Sequence, residues 1–361
     1  MPAIEGDLNI GHGTAGSLFL NISLGFFAGV LGSGFVSSRL THRWTIILSS
    51  VAVGVSLFAV SLSQTLWWIR LGLTMVGLST GLYLPSGIAT LTDRVNPKDW
   101  GKAIAVHELA PILSYITAPL LAEGLMIWFS WRGVVSVVGG AAVVTGGIFI
   151  CLGRGGEFFG ETPNPKNLRT LLIIPSFWIM VVFFGVGIGA SLGVYTMLPL
   201  YLVAEEGLQR GLVNTIVAIS RIAGLGVIFV AGWVTDGLGP RRTLGGTFLT
   251  TGMATILLGM LHEGWIIPAL FLQPALACCF FAAGFAALSK IGPPQIRNVA
   301  VSLAMPMAYL VAAGAIPTGI GILGEHGFFS LGFMLVGILL IGIIPLLNYL
   351  KFHDDAIEET S

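Results

Sequence analysis

Eleven runs of mostly apolar residues follow one another along this chain, near 13–36, 44–63, 66–92, 102–128, 131–153, 174–203, 211–235, 243–262, 264–289, 298–323 and 328–350. A helix needs about 20 such residues, rising about 1.5 Å each, to cross the hydrocarbon of a bilayer. Lipid offers no partners to backbone groups, and a helix satisfies its own within one segment. The runs therefore predict an all-α, polytopic membrane protein. Charge content points the same way. Ordinary soluble domains carry about 25% charged residues, whereas 17 basic and 17 acidic residues in 361 make only 9% here.

The net charge is zero, so nothing argues for a nucleic-acid partner. Cys151, Cys278 and Cys279 all sit inside apolar runs, with no disulfide framework and no metal-ligand spacing. Residues 1–12 include Glu5 and Asp7 and lack the basic start and apolar core of a cleavable signal. No cofactor is expected.

The break after residue 153 reads RGGEFFGETPNPKNLRTL, rich in charge, proline and glycine, and predicts a linker over 154–173 between bundles at 1–153 and 174–350. Residues 351–361, with four carboxylates, predict a solvated tail. Thirteen of the seventeen basic residues fall on alternate loops, from Arg39 and Arg43 through Arg94, Arg154, Arg241 and Lys290 to Lys351. That asymmetry predicts a cytoplasmic linker and C-terminus, in a cytoplasmic (inner) membrane, with Met1 outside.

The two bundles repeat each other at an offset of 197 to 198 residues. Pro2 pairs with Pro199, Pro97 with Pro294, Pro119 with Pro317, Gly34 with Gly232, and Ala103 with Ala300. More than 20 apolar residues precede Pro199, but a single residue precedes Pro2. The repeat therefore expects a further helix before Met1, so that the sequence carries 11 of 12 helices in two six-helix bundles related by a pseudo-two-fold repeat.

Within that register lies a duplicated loop. Gly232-Trp-Val-Thr-Asp236-Gly-Leu-Gly239-Pro-Arg241-Arg242 follows the second helix of the second bundle. Gly34-Phe-Val-Ser-Ser38-Arg39-Leu-Thr41-His42-Arg43 holds the same place in the first, with serine for the acid and threonine for the glycine. Both resemble the loop signature of the major facilitator superfamily, and the resemblance covers essentially the whole chain. It implies two bundles that rock about a central site, and a gating role for these loops. The physical reading stands beside it. Glycine admits close helix crossings, and Asp236 at a helix C-terminus opposes the macrodipole and wants a cationic or N-terminal partner. The alternative is that the arginines only enforce topology.

Ionisable residues inside spans cost about 2.5 kcal/mol or more at the bilayer centre, so each needs a reason. Arg221 lies among small residues (ISRIAGLG) fifteen residues before Asp236 and is the leading substrate-binding candidate, with snorkelling to the outer interface as the alternative. Arg70 follows Trp67-Trp68 and is either an interfacial anchor or part of a loose second family motif with Gly72, Gly77 and Gly81. His107 and Glu108, with Tyr115 two turns on, form a candidate proton-coupling or gate cluster. Asn21, Tyr195, Tyr201, Asn214 and Gln273 are softer substrate-binding candidates, and for any one of them ordinary interhelical hydrogen bonding is the stronger reading.

The resemblance implies a secondary transporter working by alternating access: a monomer in the lipid bilayer, with a small-molecule substrate and a proton or other ion as coupling partner. Two arginines against one clear intramembrane carboxylate favour an anion. The lone arginine on the eighth helix is similar to that of nitrate/nitrite porters and oxalate exchangers, but the repeat mate of Arg221 falls near Ser23 or Leu24 and no second arginine stands there. The stretch HELAPILSYITAP lacks the glycine-rich nitrate signature and also the glycine–proline pattern of drug/proton antiporters, which lowers multidrug efflux. A transporter-like sensor or an inactive remnant is the competing class. An enzyme is not expected, because the six histidines are scattered singly and no nucleophile motif is present.

Overall fold

The computed structural model describes residues 1–352 except 97–98, 163–164 and 292–293. The side chains of residues 100–102, 104–105, 108–109, 112, 165–168, 225, 229, 263, 294–299 and 301–302 also lie outside the described residues. The expected Pro97–Pro294 pair and all but the first two residues of the 351–361 tail fall there.

The protein is all-α and polytopic. Short α1 (Pro2–Leu8) leads into α2 (His12–Leu62), α3 (Leu66–Arg94), α4 (Trp100–Met126) and α5 (Trp131–Leu152). After short α6 (Pro165–Leu172) come α7 (Pro175–Ala204), α8 (Arg210–Leu238), α9 (Pro240–Met260) and α10 (Ile266–Leu288). Helix α11 runs from Pro294–Tyr309 through a wide turn, Leu310–Ala315, into Ile316–Glu325, and α12 is Phe329–Tyr349. Among the described residues, nine helices are long and apolar enough to cross a membrane. One of these, α2, has 51 residues and breaks at Thr41, so it supplies two spans, and α4 occupies the run expected at 102–128. The helices thus follow the eleven apolar runs.

The break in α2 shows the repeat in backbone angles. Thr41 has φ 70° and ψ 160°, and Gly239, 198 residues later, has φ 80° and ψ 156°. Glycine adopts this region freely, but a β-branched residue is strained there by about 1–3 kcal/mol. Past each break the first turn is tied in the same way. Thr45 Oγ1 donates to the Thr41 carbonyl at 2.7 Å, and Thr243 Oγ1 to the Gly239 carbonyl at 2.9 Å.

Helix crossings repeat as well. A Cβ on Gly54 would fall 2.5 Å from the Gly139 carbonyl oxygen, and one on Gly252 would fall 2.9 Å from that of Gly337. In lipid, where apolar surface alone drives little association, such backbone approaches are what hold helices together. Gly77 and Gly81 serve the same end. Cβ atoms there would strike the carbonyls of Ile22 and Phe26, so these glycines seat α3 against the first part of α2.

The chain divides into two units, residues 20–163 and residues 1–19 with 164–361. The stretch expected as a linker is shared between them. Its first part pairs with the α2 break: His42 N–H donates to Phe158 O (3.1 Å), Arg43 N–H to Gly156 O (2.7 Å) and Gly160 N–H to Ser37 O (3.0 Å). Its second part, α6, packs on α7 and α11. Residues 1–19 join the later unit through small residues, with Gly16 lying against Pro317 and Thr318, and the His12 carbonyl against Gly321. The core of that unit is aromatic. Phe184 meets Phe280 edge-on at 5.0 Å, and Phe183 packs on Phe248 at 5.1 Å.

Candidate functional site

Helix α7 carries the sequence Gly189-Ala-Ser-Leu-Gly193, and there it widens into a π turn in which Val194 N–H reaches back five residues to Gly189 O. Small residues permit this widening because α11 crosses at the same level. A Cβ on Gly193 would fall 2.6 Å from Ala312 O, inside the wide turn of α11. Two carbonyls of the α7 turn are taken by side chains. Gln273 Nε2 donates to Ala190 O at 2.8 Å and to Thr255 Oγ1 at 3.2 Å. Arg221 Nη2 donates to Ser191 O at 2.5 Å, and its Nη1 to Ser191 Oγ at 3.1 Å. An unmet carbonyl in hydrocarbon costs several kcal/mol, so these bonds sustain the turn.

Arg221 itself lies where α8 tightens: its N–H bonds to Ala218 O, and Gly224 N–H bonds to Arg221 O, each three residues apart. The residue is 6% exposed. Its guanidinium lies 4.2 Å from the Tyr195 ring centroid, a cation–π contact one turn along α7 from Ser191. The arginine is thus turned into the unit and does not stretch to an interface. Three of the sequence candidates, Arg221, Tyr195 and Gln273, gather round one π turn, and half-buried Asn214 lies two turns before Arg221 on the same face of α8. Ser191 and Thr255 were not singled out from sequence. The run Gly-Ala-Ser-Leu-Gly was the available signal for Ser191, and it reads equally well as a helix-packing stripe.

The other candidates lie in the unit of residues 20–163. His107 Nε2 is 3.0 Å from the Tyr83 hydroxyl, with the rings 13° from parallel; Tyr83 was not anticipated. The Glu108 side chain lies outside the described residues, and Tyr115 is half-buried. Arg70 is half-buried beside exposed Trp67 and Trp68. Asn21 is half-buried on α2 next to the Gly77 crossing.

In the signature loops, Arg43 donates Nη1 to Gly153 O (2.6 Å) and Nη2 to Ile150 O (2.9 Å), over the Phe149 ring. Arg241 donates to Leu350 O, over the Phe352 ring. Arg39 and Arg242 are exposed, and half-buried Gly34 opens the first loop. Asp236 is exposed and makes no ion pair among the described residues. No described atom lies within 4 Å of a Cβ placed on Gly232, so the close crossing expected there is not seen among the described residues. Among the described residues no three His, Cys, Asp or Glu side chains gather to hold a metal ion.

Comparison with known proteins agrees with this architecture. The model of the Major Facilitator Superfamily matches residues 1–236. Multidrug resistance protein MdtL of Escherichia fergusonii is 24% identical over 333 residues, 89% of this chain and 84% of that protein, and MdtL of Escherichia coli strain K12/DH10B matches to the same extent. Among solved structures, a bacterial homolog to the human lysosomal transporter Spinster, inward-facing and unoccupied, superposes with a TM-score of 0.74 at 14% identity, over 96% of this chain and 89% of that one. A POT peptide transporter in complex with sulfate gives 0.70 at 14% identity, over 96% and 88%. At such identities the structures speak for the fold alone. With the family model covering about two-thirds of the sequence and the signature loop present twice in repeat register, the chain belongs to the major facilitator superfamily.

Proposed function

We propose that this protein is a secondary transporter that carries a small anion across the cytoplasmic membrane by alternating access, with Arg221 as the positive charge of its substrate site. One observation carries the reading. A guanidinium is buried within a membrane-spanning unit, stacked on Tyr195 and bonded to neutral oxygens of Ser191. A buried cation is costly in a bilayer and marks a substrate or ion path by default. Asn214 on α8, and Gln273 on α10 through its bond to Ala190 in the α7 turn, supply neutral polar groups to the same unit. The His107–Tyr83 pair, an imidazole nitrogen 3.0 Å from a phenol hydroxyl, is the candidate for proton handling. The linker and C-terminus lie in the cytoplasm on the strength of the basic-residue asymmetry, and the chain works as a monomer.

A second reading, extrusion of drug-like compounds, is favoured by the similarity to proteins named multidrug resistance protein. Both are tested with purified protein in liposomes. Radiolabelled carboxylates and inorganic oxyanions, and separately fluorescent cationic drugs, are offered with and without a proton gradient. Accumulation of an anion supports the first reading, and gradient-driven movement of drugs alone replaces it with the second.

A further inference from the structure

The bonds that hold Arg221 also show how binding at that residue reaches the helix it touches. Ser191 offers the guanidinium two oxygens, a carbonyl at 2.5 Å from Nη2 and a hydroxyl at 3.1 Å from Nη1. That is the arrangement a carboxylate or an oxyanion presents to an arginine, two acceptors side by side facing two parallel N–H donors. Ser191 is neutral, so a true anion in the same place makes the stronger, charge-assisted pair. Ser191 also sits inside the π turn Gly189–Gly193, and its carbonyl is one of two that side chains keep satisfied while the turn is wide. Opposite that turn stands the second wide turn, Leu310–Ala315 in α11, with Gly189 and Gly193 lying against Ala312 and Ile316.

We infer that Ser191 is an internal surrogate for the substrate's acidic group, and that a carboxylate or oxyanion displaces it from Arg221. The released Ser191 carbonyl then has to find a partner within a nonpolar helix, and the partner at hand is the backbone N–H four residues on. Taking that bond closes the π turn toward regular α-helix, tightening α7 and altering its fit against the wide turn of α11. Substrate binding is thereby converted into a change of helix geometry at one residue. The inference rests on Arg221 being the substrate charge, as proposed above.

The test uses the whole protein in nanodiscs, with sodium oxalate, acetate and nitrate as probes and sodium chloride, which is neither a carboxylate nor an oxyanion, to hold ionic strength. Binding is read by thermal shift and confirmed by its loss in Arg221→Ala. Hydrogen–deuterium exchange over residues 186–198 then reads the turn. The expected result is that a bound probe slows exchange of amides 194–196, and that Ser191→Ala tightens binding of that probe about fivefold, since the resting state loses one competing hydrogen bond. Binding that depends on Arg221 but leaves both exchange and the Ser191→Ala affinity unchanged overturns the surrogate role and leaves the anion reading standing. If no probe binds in a manner sensitive to Arg221, the anion reading falls, and the inference with it.

Discussion

Arg43 and Arg241 stand 198 residues apart, and each donates its guanidinium to the carbonyl that caps the last helix of its own half. The acceptors are Gly153 at the end of α5 and Leu350 at the end of α12. The final carbonyls of a helix lack intrahelical partners and carry a partial negative charge, so a cation there is favourable twice over. Each arginine also lies over a nearby aromatic ring, Phe149 in one half and Phe352 in the other. The paired position in the signature loop therefore has a packing role that a topology signal alone does not require.

Removing either side chain leaves those carbonyls unmet at the membrane edge. Arg43→Ala and Arg241→Ala should each cost about 1–3 kcal/mol of stability, with the lysine variants recovering part through charge alone. Thermal unfolding of purified protein checks this, and melting points unchanged from wild type would dismiss the capping role.

The strain at Thr41 gives an asymmetric expectation. Thr41→Gly relieves a backbone conformation that costs threonine about 1–3 kcal/mol and should raise the melting temperature, whereas Gly239→Thr imposes the same strain and should lower it. The two variants are read side by side in one melting series. A shift of both in the same direction contradicts the shared geometry.

Glycines in the two units should separate cleanly by what they touch. Gly77→Ala places a methyl about where the Ile22 carbonyl lies, a backbone atom that cannot swing aside, and overpacking of this kind costs about 1–3 kcal/mol or more. Gly246→Ala, with no described atom within 4 Å, should be neutral or slightly stabilising because alanine favours helix. Expression and melting temperature distinguish them.

Gln273→Leu strips the Ala190 carbonyl and the Thr255 hydroxyl of a shared donor. A buried acceptor left without its partner costs about 1–3 kcal/mol, so the variant should melt earlier and show faster exchange across the α7 turn. Gln273→Glu, which removes the donor and adds a charge, should be worse. Equal stability of all three proteins would remove the glutamine from support of the π turn.

Much of the fold was legible because its physics is repetitive. Apolar runs of membrane length mark each span, and the offset of 198 residues that pairs Gly34 with Gly232 also gives Thr41 and Gly239 the same backbone region, and Gly54 and Gly252 equivalent crossings within their own units. The site was legible in part. Arg221 stood out because a charge in an apolar run is rare, and Gln273 because a carboxamide needs a partner there. Ser191 did not stand out, since a serine between glycines reads as packing, and the π turn that gives it meaning depends on α11 crossing at Ala312. The pairing of residues 156–160 with the α2 break was equally hidden, because it is made by backbone groups that every sequence possesses. Tyr83 escaped notice because its partner His107 lies on the next helix.

The most direct test of the account is the initial rate at which purified protein in liposomes takes up a radiolabelled anion, compared among wild type, Arg221→Ala and Arg221→Lys. The account predicts that alanine abolishes uptake while lysine, which keeps the charge but loses the two-pronged donor, retains a fraction of it. Wild-type rates in both variants would contradict it, because a guanidinium that can be removed without consequence is not the charge the substrate meets.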